Sequence, residues 1–140
     1  MKRMAIILAS LLLLSLLAAC GESAPLDLSF TNSLDVSVHN LYISPIDQDT
    51  WGDPITVAKV DSGHTINFNF VKIGDDAGPG DYDIGAIDEN GMNYDVPEVH
   101  LEVGDAIDLK ASGDSCTYTI VHADGSKDTF SGYVYASDSE

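Results

Sequence analysis

This chain has little positive charge. Six Lys and Arg stand against 23 Asp and Glu. Lys2 and Arg3 account for two of the six, and beyond them there is no Arg at all. The residues after Ala19 hold four Lys and all 23 acids, a formal charge of −19. A surface of that sign repels phosphate backbones, which excludes nucleic acid as a partner. No long apolar run recurs after residue 20, so the chain is not a multi-span membrane protein. Helical periodicity is also missing there. So are the common catalytic signatures: Gly-x-Ser-x-Gly, a Gly-rich phosphate loop, a metalloprotease helix. Carboxylates of the type a glycosidase pair needs are plentiful. A small β-domain nevertheless leaves little room for a deep cleft, and an Asp-dependent secreted hydrolase stands only as an alternative.

What is present begins at the first residues. Lys2 and Arg3 are followed by an uncharged run, Met4 to Ala19, rich in Leu, Ile and Ala. Basic start, apolar middle and small residues at the cut are the layout of a secretory signal peptide. The run closes on Leu17-Ala18-Ala19-Cys20, with Gly21-Glu22-Ser23 after it. That stretch resembles the lipobox of bacterial lipoproteins. The resemblance implies a diacylglyceryl group on the Cys20 thiol, cleavage before Cys20, and acylation of the new amine. Several acyl chains give stable anchoring where one gives only marginal binding. Gly21 stands where some lipoproteins carry an inner-membrane retention Asp, so the resemblance favours the outer membrane where the organism has one.

The expected organisation is a signal peptide over 1–19, a lipid-anchored tether over 20–25, a domain over 26–135 and a flexible tail over 136–140. The tether is short: its last four residues reach on the order of 14 Å. With Cys20 acylated, Cys116 is alone. It alternates with Tyr118 and Ile120 and reads as a small buried residue of a strand.

Apolar and polar residues alternate over Leu26–Thr31, Val36–Ser44, Ile55–Val60, Thr65–Val71, Tyr82–Asp88, Met92–Val96, Val99–Val103, Ala106–Lys110, Cys116–Ala123 and Lys127–Tyr135. Period two marks half-buried strands. The phase slips near Asn40-Leu41, a sign of a bulge. Asn32-Ser33 reads as a turn, Pro97 as an interruption, and Asn90-Gly91 as a type I′ hairpin turn. Asp124-Gly125 reads as a second hairpin turn. Short strands spaced by Gly, Asp and Pro turns predict an all-β fold: a single small β-sandwich, immunoglobulin-like or similar, or else an open β-barrel.

Tyr42-Ile43-Ser44-Pro45 followed by Trp51-Gly52, and later Tyr82-Asp83 before Asn90-Gly91, resembles a pattern in small β-domains of exported bacterial proteins. It implies no activity. Trp51 is the sole Trp, flanked by Asp47, Asp49 and Asp53. A loop Trp commonly folds back as cover; exposed among carboxylates, it would stack on a sugar ring while the acids hold hydroxyls. Asp75, Asp76 and Asp81 are the first choices for Ca²⁺ ligands, since calcium takes six to eight oxygens on a bent loop. Turn-forming Asp explains the same cluster without a metal, so no cofactor is required. His39, His64, His100 and His122 lack paired ligand spacing and read as surface or strand-edge residues. The sequence thus predicts a lipid-anchored, extracytoplasmic, non-enzymatic binding or structural module of a bacterial envelope. Its expected partners are the membrane through Cys20, and envelope proteins or glycans. A Ca²⁺-stabilised structural domain is the further alternative.

Overall fold

The computed structural model describes residues 26–56, 58–71 and 78–137. The expected signal peptide, Cys20, the tether, Asp75 and Asp76 lie outside the described residues. Those described form eight strands and no helix. They are β1 (Leu26–Asn32), β2 (Val38–Pro45), β3 (Thr65–Val71), β4 (Gly80–Asp88), β5 (Met92–Leu101), β6 (Ala106–Ser112), β7 (Ser115–Val121) and β8 (Lys127–Ala136). The all-β expectation holds. The strands make one continuous mixed sheet in the order β2-β4-β5-β8-β7-β6-β1-β3, with β1 parallel to β6 and the other pairs antiparallel.

Chain length dictates the shape of that sheet. β1 and β2 stand six positions apart in it, about 29 Å if it were flat. Yet only residues 33–37 join them, a reach of about 20 Å. The sheet must therefore curl into a half-barrel whose two halves face each other over one core. Alternate residues point into that core: Leu28 and Phe30 on β1, Leu41 and Ile43 on β2, Ile84 and Ala86 on β4, Tyr118 and Ile120 on β7.

The seam between the edge strands is closed at one end by Asn32. Its side chain is fully buried. Nδ2 donates to the Val36 carbonyl at 2.8 Å and the Val60 carbonyl at 2.9 Å, and Oδ1 accepts from Leu34 N–H at 3.0 Å. Val60 in turn exchanges both backbone bonds with Val38 at the head of β2. Asn32 is therefore the last residue of a strand and a cross-link, where sequence suggested a turn.

Three further expectations are corrected. The described residues of the expected Ile55–Val60 strand, 55–56 and 58–60, do not form one. Ile55 N–H bonds the Leu41 carbonyl and Val60 pairs with Val38, so five steps of one segment oppose three of the other and no register survives. Ile55, Thr56 and Val60 instead bond the edge of β2, with Thr56 Oγ1 accepting from Leu41 N–H. Pro97 does not end β5. It sits in a bulge where Pro97 and Glu98 oppose Asp83, Glu98 takes φ 55°, and its N–H bonds Asp83 Oδ1 at 3.0 Å. Beyond Asp95 only β4 flanks β5, so the missing proline donor costs no ladder bond. The Asn90-Gly91 turn is not type I′, because only Gly91 has positive φ. Gly91 N–H bonds the Asp88 carbonyl, a type I turn closed by a left-handed Gly. Asp124-Gly125 is built the same way. Strand β8 also runs through Ala136, one residue into the expected tail.

Asn32→Ala takes the side-chain partner from the buried Leu34 N–H and the part-buried Val36 carbonyl, at about 1–3 kcal/mol each, while the Val60 carbonyl keeps the Val38 N–H. Urea unfolding of the variant is expected to show a loss of at least about 2 kcal/mol with an unchanged slope. A loss under about 0.5 kcal/mol would remove Asn32 from its closing role.

Candidate functional site

The outward residues of β2, β4, β5 and β8 form the most distinctive surface. Cross-strand pairing sets one row: Tyr42 opposite Gly85, Gly85 opposite Asp95, and Asp95 opposite Tyr133. The next row runs Asn40, Ile87, Asn93, Tyr135. Trp51 arrives from the loop after β2 and lies over Gly85. A Cβ built at Gly85 would sit 3.0 Å from the indole Cη2 and 2.9 Å from Asp95 Oδ1. Absence of a side chain there is what admits both groups. The Tyr42 ring tilts against the indole, with centroids 6.1 Å apart at 52°. The loop is held by Ser44 Oγ donating to the Thr50 carbonyl.

The result is a groove of about 280 Å³ lined by Tyr42, Thr50, Trp51, Gly85, Asn93 and Asp95, among others. Trp51 lies on the outer face of the sheet over Gly85, where the expected cover was the open end of a sandwich, and it remains 38% exposed. Tyr135 and Tyr133 continue the aromatic surface, the latter 70% exposed. The Tyr135 hydroxyl donates to Asp95 Oδ2. Burial holds the Asp95 carboxyl above its ordinary range, opposed by that hydrogen bond. The same bond and desolvation push the Tyr135 hydroxyl up to about 12.

The other singled-out residues go elsewhere. Asp81 does not join a carboxylate cluster among the described residues; its Oδ1 is 2.8 Å from His100 Nδ1. That hydrogen bond raises the His100 pKa, burial opposing it. Among the described residues no group of three His, Cys, Asp or Glu could hold a metal ion. Cys116 is a buried free thiol pushed up to about 11 by desolvation, as its strand position predicts. Tyr82 of the Tyr-Asp pattern points into the core and bonds the Gly78 carbonyl at 2.5 Å.

His122 is the exception among the histidines, with only 12% of its side chain exposed. Nδ1 donates to the fully buried Asp105 at 2.8 Å, and Nε2 to Asp128 at 2.9 Å. Asp105 Oδ2 also caps Glu102 N–H. With a carboxylate on each ring nitrogen, His122 has no free nitrogen to take a proton, so the cluster is structural. Reading it from sequence was impossible, because its three members are brought together by the β6–β7 register and the β7–β8 turn. Tyr133, Tyr135, Asp95 and Gly85 were missed too. Their one signal is outward phase: large aromatics at the polar positions of an alternating strand.

No protein-family model, no curated protein and no solved structure matches the chain.

Two measurements check this picture. The bonds to Asp128 and Asp105 hold His122 up to about 9, against 6.5 unperturbed. A raised folded pKa gives stability that is complete below about pH 6.5 and lost as pH climbs to about 9. The melting difference between wild type and His122→Gln is therefore expected to shrink over that window; a difference growing with pH contradicts the pairing. Gly85→Ala is expected to displace the indole, red-shift its fluorescence, and cost about 1–3 kcal/mol through overpacking. An unshifted emission spectrum would show that Trp51 does not rest there.

Proposed function

We propose that the protein is a lipid-anchored, extracytoplasmic, non-enzymatic binding module of a bacterial envelope, with the Trp51 groove as its binding face. The anchor rests on the lipobox-like Leu17-Ala18-Ala19-Cys20. The observation that carries the binding reading is the position of the groove relative to the point where the chain enters the domain. Leu26 begins β1 at the end of the half-barrel that also holds the Glu102–Asp105 turn and Leu101. Asp95 lies three residues from the opposite end of β5 and six from Leu101. A short tether at Leu26 would hold that end near the membrane and leave the groove on the outer flank of the sheet, six residues along β5 from Leu101, open to a partner. Confinement in the membrane plane raises effective concentration, so weak contacts at such a face suffice. The excess of acid keeps the domain itself off anionic lipid.

Mass spectrometry of the mature chain from cells tests the anchor. The chain is expected to begin at Cys20 with added acyl mass, and Cys20→Ala is expected to leave the membrane fraction. An unmodified Cys20 overturns the anchor. Pelleting the full chain with washed envelopes tests the groove: Trp51→Ala is expected to lose the interaction beyond that of the lipid, and equal behaviour removes the groove from the function.

A further inference from the structure

The groove restricts what can occupy it. Its floor is β4 and β5, which are interior strands of the sheet. Their backbone donors and acceptors along the groove are used by β2, by each other and by β8. A peptide therefore cannot bind by adding a strand there, the mode that would give it main-chain bonds. Recognition must pass through side chains. The lining holds no Lys, Arg or His, and the chain after Ala19 is strongly acidic. An anionic ligand would meet no counter-charge and considerable repulsion.

What the lining offers is a pair of tilted aromatic rings and a set of oxygen and amide groups. Trp51 and Tyr42 supply the rings. Asp95 Oδ1 faces the space over Gly85 beside the indole. Thr50 and Asn93 also line the groove. The Tyr135 hydroxyl fixes the other carboxylate oxygen, so Asp95 is aimed before anything binds. At about 280 Å³ the groove falls just below the roughly 300–1,000 Å³ of ordinary ligand sites, so it takes a small group such as one ring. A ligand that fits has one flat apolar face, several hydroxyl donors and no negative charge.

We infer that this groove binds a neutral glycan, with a pyranose ring stacked on Trp51 and its hydroxyls donating to Asp95. The inference rests on the binding reading of the groove given above and specifies its ligand. The stacking ring covers the exposed part of the indole. Hydrogen bonds from sugar hydroxyls to an ionised carboxylate are charge-assisted and stronger than neutral ones. Tyr133, in the same row as Asp95, offers a second plate for a neighbouring sugar. Charge sets the specificity: uronic-acid or phosphorylated sugars are refused, neutral sugars admitted.

Trp51 is the sole Trp of the chain, so its fluorescence reports occupancy without a label. The mature full chain in a detergent without sugar headgroups is titrated with neutral, uronic-acid and amino-sugar oligosaccharides, and with an aromatic-rich neutral peptide. Neutral oligosaccharides are expected to shift Trp51 emission saturably, with uronic-acid oligomers at least about tenfold weaker. Asp95→Asn is expected to weaken binding about ten- to hundredfold, the range for a hydrogen bond to a charged group. Tyr133→Ala, a surface change that leaves the fold alone, is expected to weaken longer oligosaccharides more than monosaccharides. No saturable response to any neutral oligosaccharide, or a response to the peptide alone, overturns the glycan assignment. If Trp51→Ala still loses envelope binding in that case, the groove remains a binding face for another ligand. If it does not, both readings fall together.

Discussion

The five residues between β1 and β2 are the constraint on which the rest depends. They join strands that are six places apart in one sheet, and no flat sheet satisfies them. Curling solves the length problem and creates a new one, a seam between the edge strands β2 and β3. Asn32 closes it because a carboxamide carries two donors and an acceptor, and all three are used here by backbone groups of different segments. A buried Ser would offer a single donor, and a buried Asp none when ionised. The side chains pointing inward then fill one core, with Tyr118 fully buried and its hydroxyl bonded to the Tyr94 carbonyl at 2.6 Å.

Curling also explains the outer face. On the convex side of a bent sheet the side chains splay, so they cover one another less than on a flat one. At Gly85 there is no side chain at all, and the gap over β4 would expose its backbone. The loop after β2 supplies Trp51 to fill it. The indole therefore serves two ends at once. Its buried edge covers the sheet, and its remaining surface meets solvent beside Tyr42, Asp95 and the two tyrosines of β8.

How much of this could be read in the chain follows from the range of each interaction. Alternation over Thr65–Val71 or Ala106–Lys110 is a local property, and those strands are where it put them. Turns with an Asp and a Gly were legible for the same reason. Residues 55–60 failed because their alternation describes burial against β2 without the register that a strand needs. Pro97 failed because the rule against proline assumes a strand flanked on both sides. The groove spans residues 42 to 135, and nothing local says that Tyr42, Gly85, Asp95 and Tyr133 share a row. The distinctive Tyr42 to Trp51 stretch did point to its centre, since the two rings are neighbours in sequence as in space.

Two carboxylates, Asp105 fully buried and Asp95 half-buried, are satisfied in different ways. Several of its Asp residues cap backbone N–H groups: Asp88 caps Asn90 and Met92, Asp124 caps Ser126, Asp83 caps Glu98. Asp105 caps as well, and its burial is compensated by the imidazolium of His122. Asp95 has no such cation among the groups acting on it; it has a phenol and the repulsion of Asp83. Exposed tyrosines and a half-exposed tryptophan surround it. Asp88, buried as well, takes the Tyr94 hydroxyl and two backbone N–H groups; Asp95 takes the Tyr135 hydroxyl among open aromatic rings. An acid set beside exposed rings suits a ligand that brings hydroxyl donors, as the proposed sugar would.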